Sequence, residues 1–415
     1  MIARDSLTGR AITWMRFPLA LIVLTAHTIY NRLAGEQVLA VMTFLTWCIC
    51  TLAVPVFFLI SGYLFFAGRE TFGIDDYLAA MRRRVRTLLV PYVLWMLIAW
   101  ASVSIESGEI FRVSSLWEFK EVFWGGSIIN YRTSVFGTKT INLDLPGMLY
   151  PLWFVRDLMC VSLLTPLIWL VGKRWRLWAI LPFAVIYLAG VGTNLDCLQP
   201  KTLFYFPVGA ILAINRIDIA GPARKALPYT LPAWLVMALI YTGMAFTFDL
   251  NHLTMGFRSQ FFHQCMKLAG VAAFVGIVFA AVGAERPSRA LSRINTLFFR
   301  LAPTSMFIYL IHGTKPIEWL NKLCQYLFEG VGPEGGMLGL QPIAFFVEHT
   351  QLGQIMTFVT AWVVRLAVIL CVYRLLQRYE PRVLGVLTGD RSQAEGAARP
   401  GAEGRPALDT LTSNT

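Results

Sequence analysis

Apolar residues run in long unbroken stretches along this chain, and polar residues gather in the gaps between them. A helix needs about 20 mainly apolar residues to cross a bilayer. The pattern meets or approaches that length ten times, at 12–31, 38–66, 86–105, 149–171, 177–193, 202–216, 228–247, 264–283, 301–323 and 353–377. The fifth and sixth stretches are short, and His312, Lys315 and Pro316 interrupt the ninth. The expected fold is all-α, a polytopic membrane bundle of about ten transmembrane helices. The first stretch follows Arg4 and Arg10 and lacks a small-x-small cleavage pattern, so it reads as a retained first span.

The gaps give the bundle a direction. Alternate loops and the terminal flanks hold 20 Lys and Arg residues, against 8 in the other loops. Cations concentrate on the cytoplasmic side of membrane proteins, so both termini are expected in the cytoplasm, which suits an even number of spans. Composition agrees with a membrane protein. Of 415 residues, 56% are hydrophobic and 14% charged, where soluble domains carry about 25% charged residues. The net charge of +12 would otherwise suggest nucleic acid. Its placement in short loops excludes that partner and points to membrane lipid. The seven Cys have no metal-ligand or redox spacing, so they read as packing residues and no metal is expected.

Two segments fall outside the spans. Residues 106–148 form a long outer loop with Trp117, Trp124 and Tyr131, either the cover of a binding cleft or a packed cap. Residues 385–415 lack apolar periodicity and read as a disordered cytoplasmic tail after a transmembrane domain over 1–384.

Candidate chemistry begins in the first span. Arg16 and His27 are 11 residues apart, which places them within about 20° of one helix face and about 16 Å apart along the axis. Ionisable groups inside a span are expensive and mark functional sites. The plainer alternative is an Arg that snorkels and a His that packs. Span two ends in Ser61-Gly62-Tyr63-Leu64, where Gly62 permits close helix approach and Ser61 can bond across an interface. Arg82, Arg83, Arg84 and Arg86 then crowd the start of span three. They suit either anionic lipid or the phosphates of a soluble cofactor. Span four opens with Trp153 and carries Arg156 and Asp157 about two turns inside. Neighbours on a helix point about 100° apart, so each is expected to find its partner elsewhere. His312 lies past the middle of span nine, at a depth similar to that of His27.

These pieces, in this order, resemble the integral-membrane acyltransferase 3 family of bacterial inner membranes. The resemblance rests on Arg16 and His27, on Ser61 to Leu64, on the arginines from Arg82 to Arg86, on the Leu-Trp-Phe segment at Leu152 to Phe154, and on Tyr309 to His312. It covers roughly residues 10–380 and implies a multi-pass inner-membrane enzyme. That enzyme would move an acyl group, usually acetyl, from cytoplasmic acyl-CoA to a hydroxyl of an envelope glycan or lipid-linked saccharide. The resemblance implies that Arg16, Arg83 and Arg86 hold the donor. His27, Asp157 and His312 become the catalytic candidates, with His27 either general base or acyl carrier. Ser61, Tyr63, Trp153 and Arg156 become the substrate-binding candidates. The competing class is a transporter or flippase of lipid-linked glycan, which has no need of a coenzyme A site.

Overall fold

The computed structural model describes residues 6–28, 36–107, 132–134, 137–139, 149–190, 198–247, 257–329 and 351–389. They are helical apart from connecting turns and one antiparallel hairpin of β1 (Arg132–Ser134) and β2 (Gly137–Lys139), which pairs Arg132 with Lys139. That hairpin lies within the expected outer loop. The rest of 108–148, and the tail from residue 390, fall outside the described residues.

The first helix, α1 (Leu7–Ala26), starts where the Ser6 hydroxyl accepts the Gly9 amide at 3.1 Å. Helix starts leave such amides without backbone partners, and a serine cap satisfies one. The helix runs unbroken through Pro18 and ends at His27. Then follow α2 (Glu36–Thr43), α3 (Ala53–Phe66), α4 (Ile74–Arg84) and α5 (Val90–Ser107). Between α4 and α5 the chain winds one wide π-helical turn over Val85–Leu89. Pro91 has no N–H to offer the Thr87 carbonyl one turn back, and a wide turn accommodates that loss. The arginine cluster is therefore helical and continuous with span three, not in a loop.

The second half holds α6 (Trp153–Leu163), α7 (Thr165–Trp175), α8 (Ile180–Leu188), α9 (Pro200–Ile214), α10 (Ala220–Thr247) and α11 (Phe257–Val282). It ends with α12 (Arg289–Leu301), α13 (Ser305–Ile311), α14 (Lys315–Glu329), α15 (Gln351–Tyr379) and α16 (Pro381–Thr388). All ten apolar stretches are mainly helical over their described residues. Among the described residues seven helices are long and apolar enough to cross a membrane. A bent pair, Trp153–Leu163 with Thr165–Leu188, makes an eighth, and Pro200–Ile214 is shorter. The 60° bend follows from Pro166, which cannot bond the Ser162 carbonyl. The Thr165 hydroxyl takes that carbonyl instead, at 2.6 Å. The ninth stretch also differs from expectation. Its helix begins at Arg289, so Arg289, Arg293 and Arg300 are helical, and it breaks at His312–Thr314. Helix α16 runs to Thr388, past the expected start of the tail. There Gly389, at φ +67°, lies against the Thr87 carbonyl.

The closest crossing is between α3 and α9. A Cβ at Gly62 would stand 2.0 Å from the Phe206 carbonyl oxygen, and one at Gly209 2.0 Å from that of Leu59. One glycine on each helix lets the backbones touch, as small residues do in membranes. Neither obstacle is a flexible side chain. Gly62→Ala is thus expected to cost about 3 kcal/mol, at the upper end for overpacking. Thermal unfolding in detergent measures it, and an unchanged midpoint would contradict the crossing.

Candidate active site

Two helix ends meet on one guanidinium. The last carbonyls of a helix have no partner within it, and the end carries partial negative charge. Arg365, from the middle of α15, is 0% exposed. Its Nη1 donates to the His27 carbonyl at 2.7 Å and to the Thr28 hydroxyl at 2.9 Å. Its Nη2 donates to the His312 carbonyl at 2.6 Å. The planar fork therefore joins the end of α1 to the end of α13. One turn along α15, the Trp362 indole N–H donates to the Thr25 hydroxyl at 3.0 Å.

This junction brings the two histidines together. Their ring centroids are 4.8 Å apart with the planes tilted by 51°. His27 is partly buried and His312 is 0% exposed. The His312 Nδ1 faces the Tyr309 carbonyl at 2.8 Å and that of Ile308 at 3.2 Å. Carbonyls only accept, so Nδ1 bears the proton and Nε2 is left as a lone pair. That Nε2 is buried with no hydrogen-bond partner among the described residues. An unsatisfied buried acceptor costs about 1–3 kcal/mol. A polar atom kept that way beside a second imidazole is an available proton acceptor.

The opening of α6 is joined to this pair through aromatic rings. Tyr309 lies 5.8 Å from the His312 ring and 5.5 Å from the Phe154 ring, centroid to centroid, and its hydroxyl donates to the Pro151 carbonyl. Gly313 makes room for that contact, since a Cβ there would be 2.6 Å from Pro151. Arg156 and Asp157 are both 0% exposed, so they do not face lipid. The expectation that adjacent residues would not pair with each other is corrected. Arg156 Nη2 and Nε reach Asp157 Oδ1 at 3.2 and 3.4 Å. A long flexible side chain can bend back around its own helix, and burial away from water rewards the contact. The other oxygen, Oδ2, accepts the Thr202 hydroxyl at 3.1 Å. Breaking a buried pair from one side costs about 3–5 kcal/mol. Asp157→Ala should therefore lower both the unfolding temperature and the activity, whereas stability equal to wild type would show that the pair contributes nothing.

The remaining candidates lie elsewhere. Arg16 is partly buried on α1, two turns from its start. Arg83 and Arg86 are exposed, and Arg84 turns inward, with its guanidinium 4.9 Å from the Phe65 ring and 5.7 Å from that of Phe206. Ser61 and Tyr63 flank Gly62 at the α3–α9 crossing, and Tyr63 is within electrostatic range of Asp218, beyond the end of α9. Trp153 lies under the Lys201 ammonium, 3.9 Å from ring centroid to nitrogen. Among the described residues no three His, Cys, Asp or Glu side chains converge as metal ligands would.

Arg365, Trp362 and Thr28 are absent from the candidates drawn from sequence. A lone cation in the middle of an apolar stretch is itself a signal of function, and Arg365 carries it. Nothing local marks Trp362 or Thr28.

Residues 10–374 match the family described as Acyltransferase domain. The succinoglycan biosynthesis protein ExoH of Rhizobium meliloti (strain 1021) is 24% identical over 368 residues, covering 86% of this chain and 84% of that protein. No solved structure matches. With nearly its whole length matched, the chain belongs to the integral-membrane acyltransferase 3 family and is a multi-pass membrane acyltransferase.

Proposed function

We propose that this protein moves an acyl group, acetyl first, from cytoplasmic acyl-CoA to a hydroxyl of an envelope glycan or lipid-linked saccharide across the bacterial inner membrane. The observation that carries the reading is the His27–His312 pair at the end of α1, with a lone pair on His312 Nε2 that has no partner among the described residues. In the transfer, the acceptor oxygen attacks the thioester carbon, the carbon–sulfur bond breaks and an ester forms. The hydroxyl proton passes to an imidazole, and coenzyme A leaves as the thiol once it takes that proton back. His27, less buried than His312, meets the substrate, either as the base or as the atom that briefly carries the acyl group. Membership of the family and a relative named for succinoglycan biosynthesis support a glycan acceptor.

The donor enters at the end of the bundle where Arg83 and Arg86 are exposed. Their guanidinium forks suit phosphate, and Arg16 lies on the same helix as His27. The asymmetry of loop cations supports a cytoplasmic position for that end. Charge-neutral Arg83→Gln with Arg86→Gln should raise the KM for acyl-CoA severalfold. If only lipid dependence changes, the cluster serves the membrane surface instead. The reading as a whole is tested in sealed vesicles of known orientation. Acyl-CoA supplied to the cytoplasmic face should label acceptor confined to the opposite face. Labelling only when both share one side overturns the transmembrane relay.

A further inference from the structure

Lys201 and Lys267 are two cations that the transfer reaction does not use. Lys201 is the second residue of α9 and Lys267 lies on α11, about 15 Å along the axis from that helix's first residue. Both are only partly exposed. They are within electrostatic range of each other, and Lys201 is also within range of Asp157. That carboxylate is already engaged, one oxygen by Arg156 and the other by Thr202. Arg156 and Lys201 thus share one anion, and Lys267 adds a further cation beside Lys201. Among the described residues neither lysine makes an ion pair. Like charges gathered inside a membrane protein are costly and call for an opposite charge from elsewhere.

Other groups around the lysines are polar as well. His263, one turn before Lys267 on the same face, is within its electrostatic range and has its Nε2 3.1 Å from the Trp47 carbonyl. Gln264 is buried, and its Oε1 has no hydrogen-bond partner among the described residues. An ammonium pair beside an unpartnered amide matches an anion that also carries hydroxyls, as an acidic sugar or a sugar phosphate does.

Position tells which part of the substrate this is. The Lys201 ammonium sits on Trp153. From there the rings of Trp153, Phe154, Tyr309 and His312 follow one another at centroid separations of 6.5, 5.5 and 5.8 Å. The Phe154 and Tyr309 rings lie along that path to the histidines, so the anion bound by the lysines is remote from the reacting carbonyl. It belongs to an extended molecule, the acceptor. We propose that Lys201 and Lys267 form an anion subsite for the acceptor, which takes an oxyanion carried either by an acidic sugar or by the phosphate of a lipid linker. This rests on the acyltransferase reading above.

The test compares purified wild type with the double variant Lys201→Gln, Lys267→Gln, using one acyl-CoA and three acceptors. These are a neutral oligosaccharide, the same oligosaccharide ending in glucuronate, and the same ending in phosphate. Wild type should favour one charged acceptor at least tenfold in kcat/KM, and the double variant should lose most of that preference. The Lys201→Arg, Lys267→Arg protein, which keeps both charges, should retain it. A glucuronate preference assigns the site to an acidic sugar, and a phosphate preference to the linker. Equal kcat/KM for all three acceptors in wild type, or an equal loss for charged and neutral acceptors in the variant, overturns the subsite. A change confined to stability in anionic lipid also overturns it and leaves the lysines as head-group anchors. Binding is read separately by thermal shift with glucuronate and with inorganic phosphate. If no acceptor is acylated but one anion stabilises wild type and not the double variant, the enzyme reading fails while the subsite stands. If neither anion stabilises wild type, the subsite fails. Should the Gln double variant not fold, each single Gln variant is expected to lose part of the preference, and no loss in either overturns the proposal.

Discussion

His27→Ala is expected to lower acyl transfer at least about 100-fold, the usual lower bound for a positioned general base. The structure makes this a clean substitution. Arg365 and the helix end are held by the backbone carbonyl of His27, at 2.7 Å, and that carbonyl remains in alanine. The Thr28 hydroxyl and the His312 carbonyl keep their bonds to Arg365 as well. Only the imidazole next to His312 disappears. The variant should therefore insert, fold and unfold at close to the wild-type temperature, with normal donor binding. Radiolabel passing from acyl-CoA into the glycan fraction of membranes, at matched expression, measures the loss. Turnover near wild type would remove His27 from the chemistry.

The second large effect is on Arg365. Arg365→Ala leaves the His27 carbonyl, the Thr28 hydroxyl and the His312 carbonyl without the donors they have now. All are buried or partly so, and removing one side of such a buried charged contact costs about 3–5 kcal/mol. The ends of α1 and α13 would separate, and with them the two histidine rings. Arg365→Lys keeps the charge but lacks the planar fork that spans both ends. It should recover most of the stability and little of the turnover. The expected signature is a fall in kcat with the KM for acyl-CoA nearly unchanged, since the exposed Arg83 and Arg86 are untouched. If the Lys variant recovers kcat together with stability, Arg365 holds the fold together and does not position the histidines.

Membership of an acyltransferase family separates the two functions that the sequence features left in competition. A flippase would also have many spans, buried ion pairs and a basic face. The paired imidazoles at the end of α1 fit the enzyme, because proton transfer during ester formation needs a base there.

Much of this protein is legible along the chain. Ten apolar stretches predicted helices, and their described residues are mainly helical in all ten. In lipid each helix must satisfy its own backbone, so the pattern that makes it is local and about 20 residues long. The Arg16–His27 stripe has the same origin, for helix geometry alone puts the two on one face. The family was legible for a similar reason, since its motifs are short and sit within single spans.

The candidate site was decided by contacts between spans. His27 and His312 lie 285 residues apart in the chain and meet where α1 packs on α13, with Arg365, on a third helix, bonding to the carbonyl of each. Arg156 folds onto Asp157 although helix geometry points them apart, because Thr202 from α9 closes the other side of the carboxylate. Gly62 meets the backbone of Phe206 and Gly209 that of Leu59, which no spacing announces. Lipid gives helices little hydrophobic reason to prefer one neighbour over another, so their arrangement rests on close shape and a few buried hydrogen bonds. Those bonds join residues far apart in sequence, and only the folded bundle brings their donors and acceptors together.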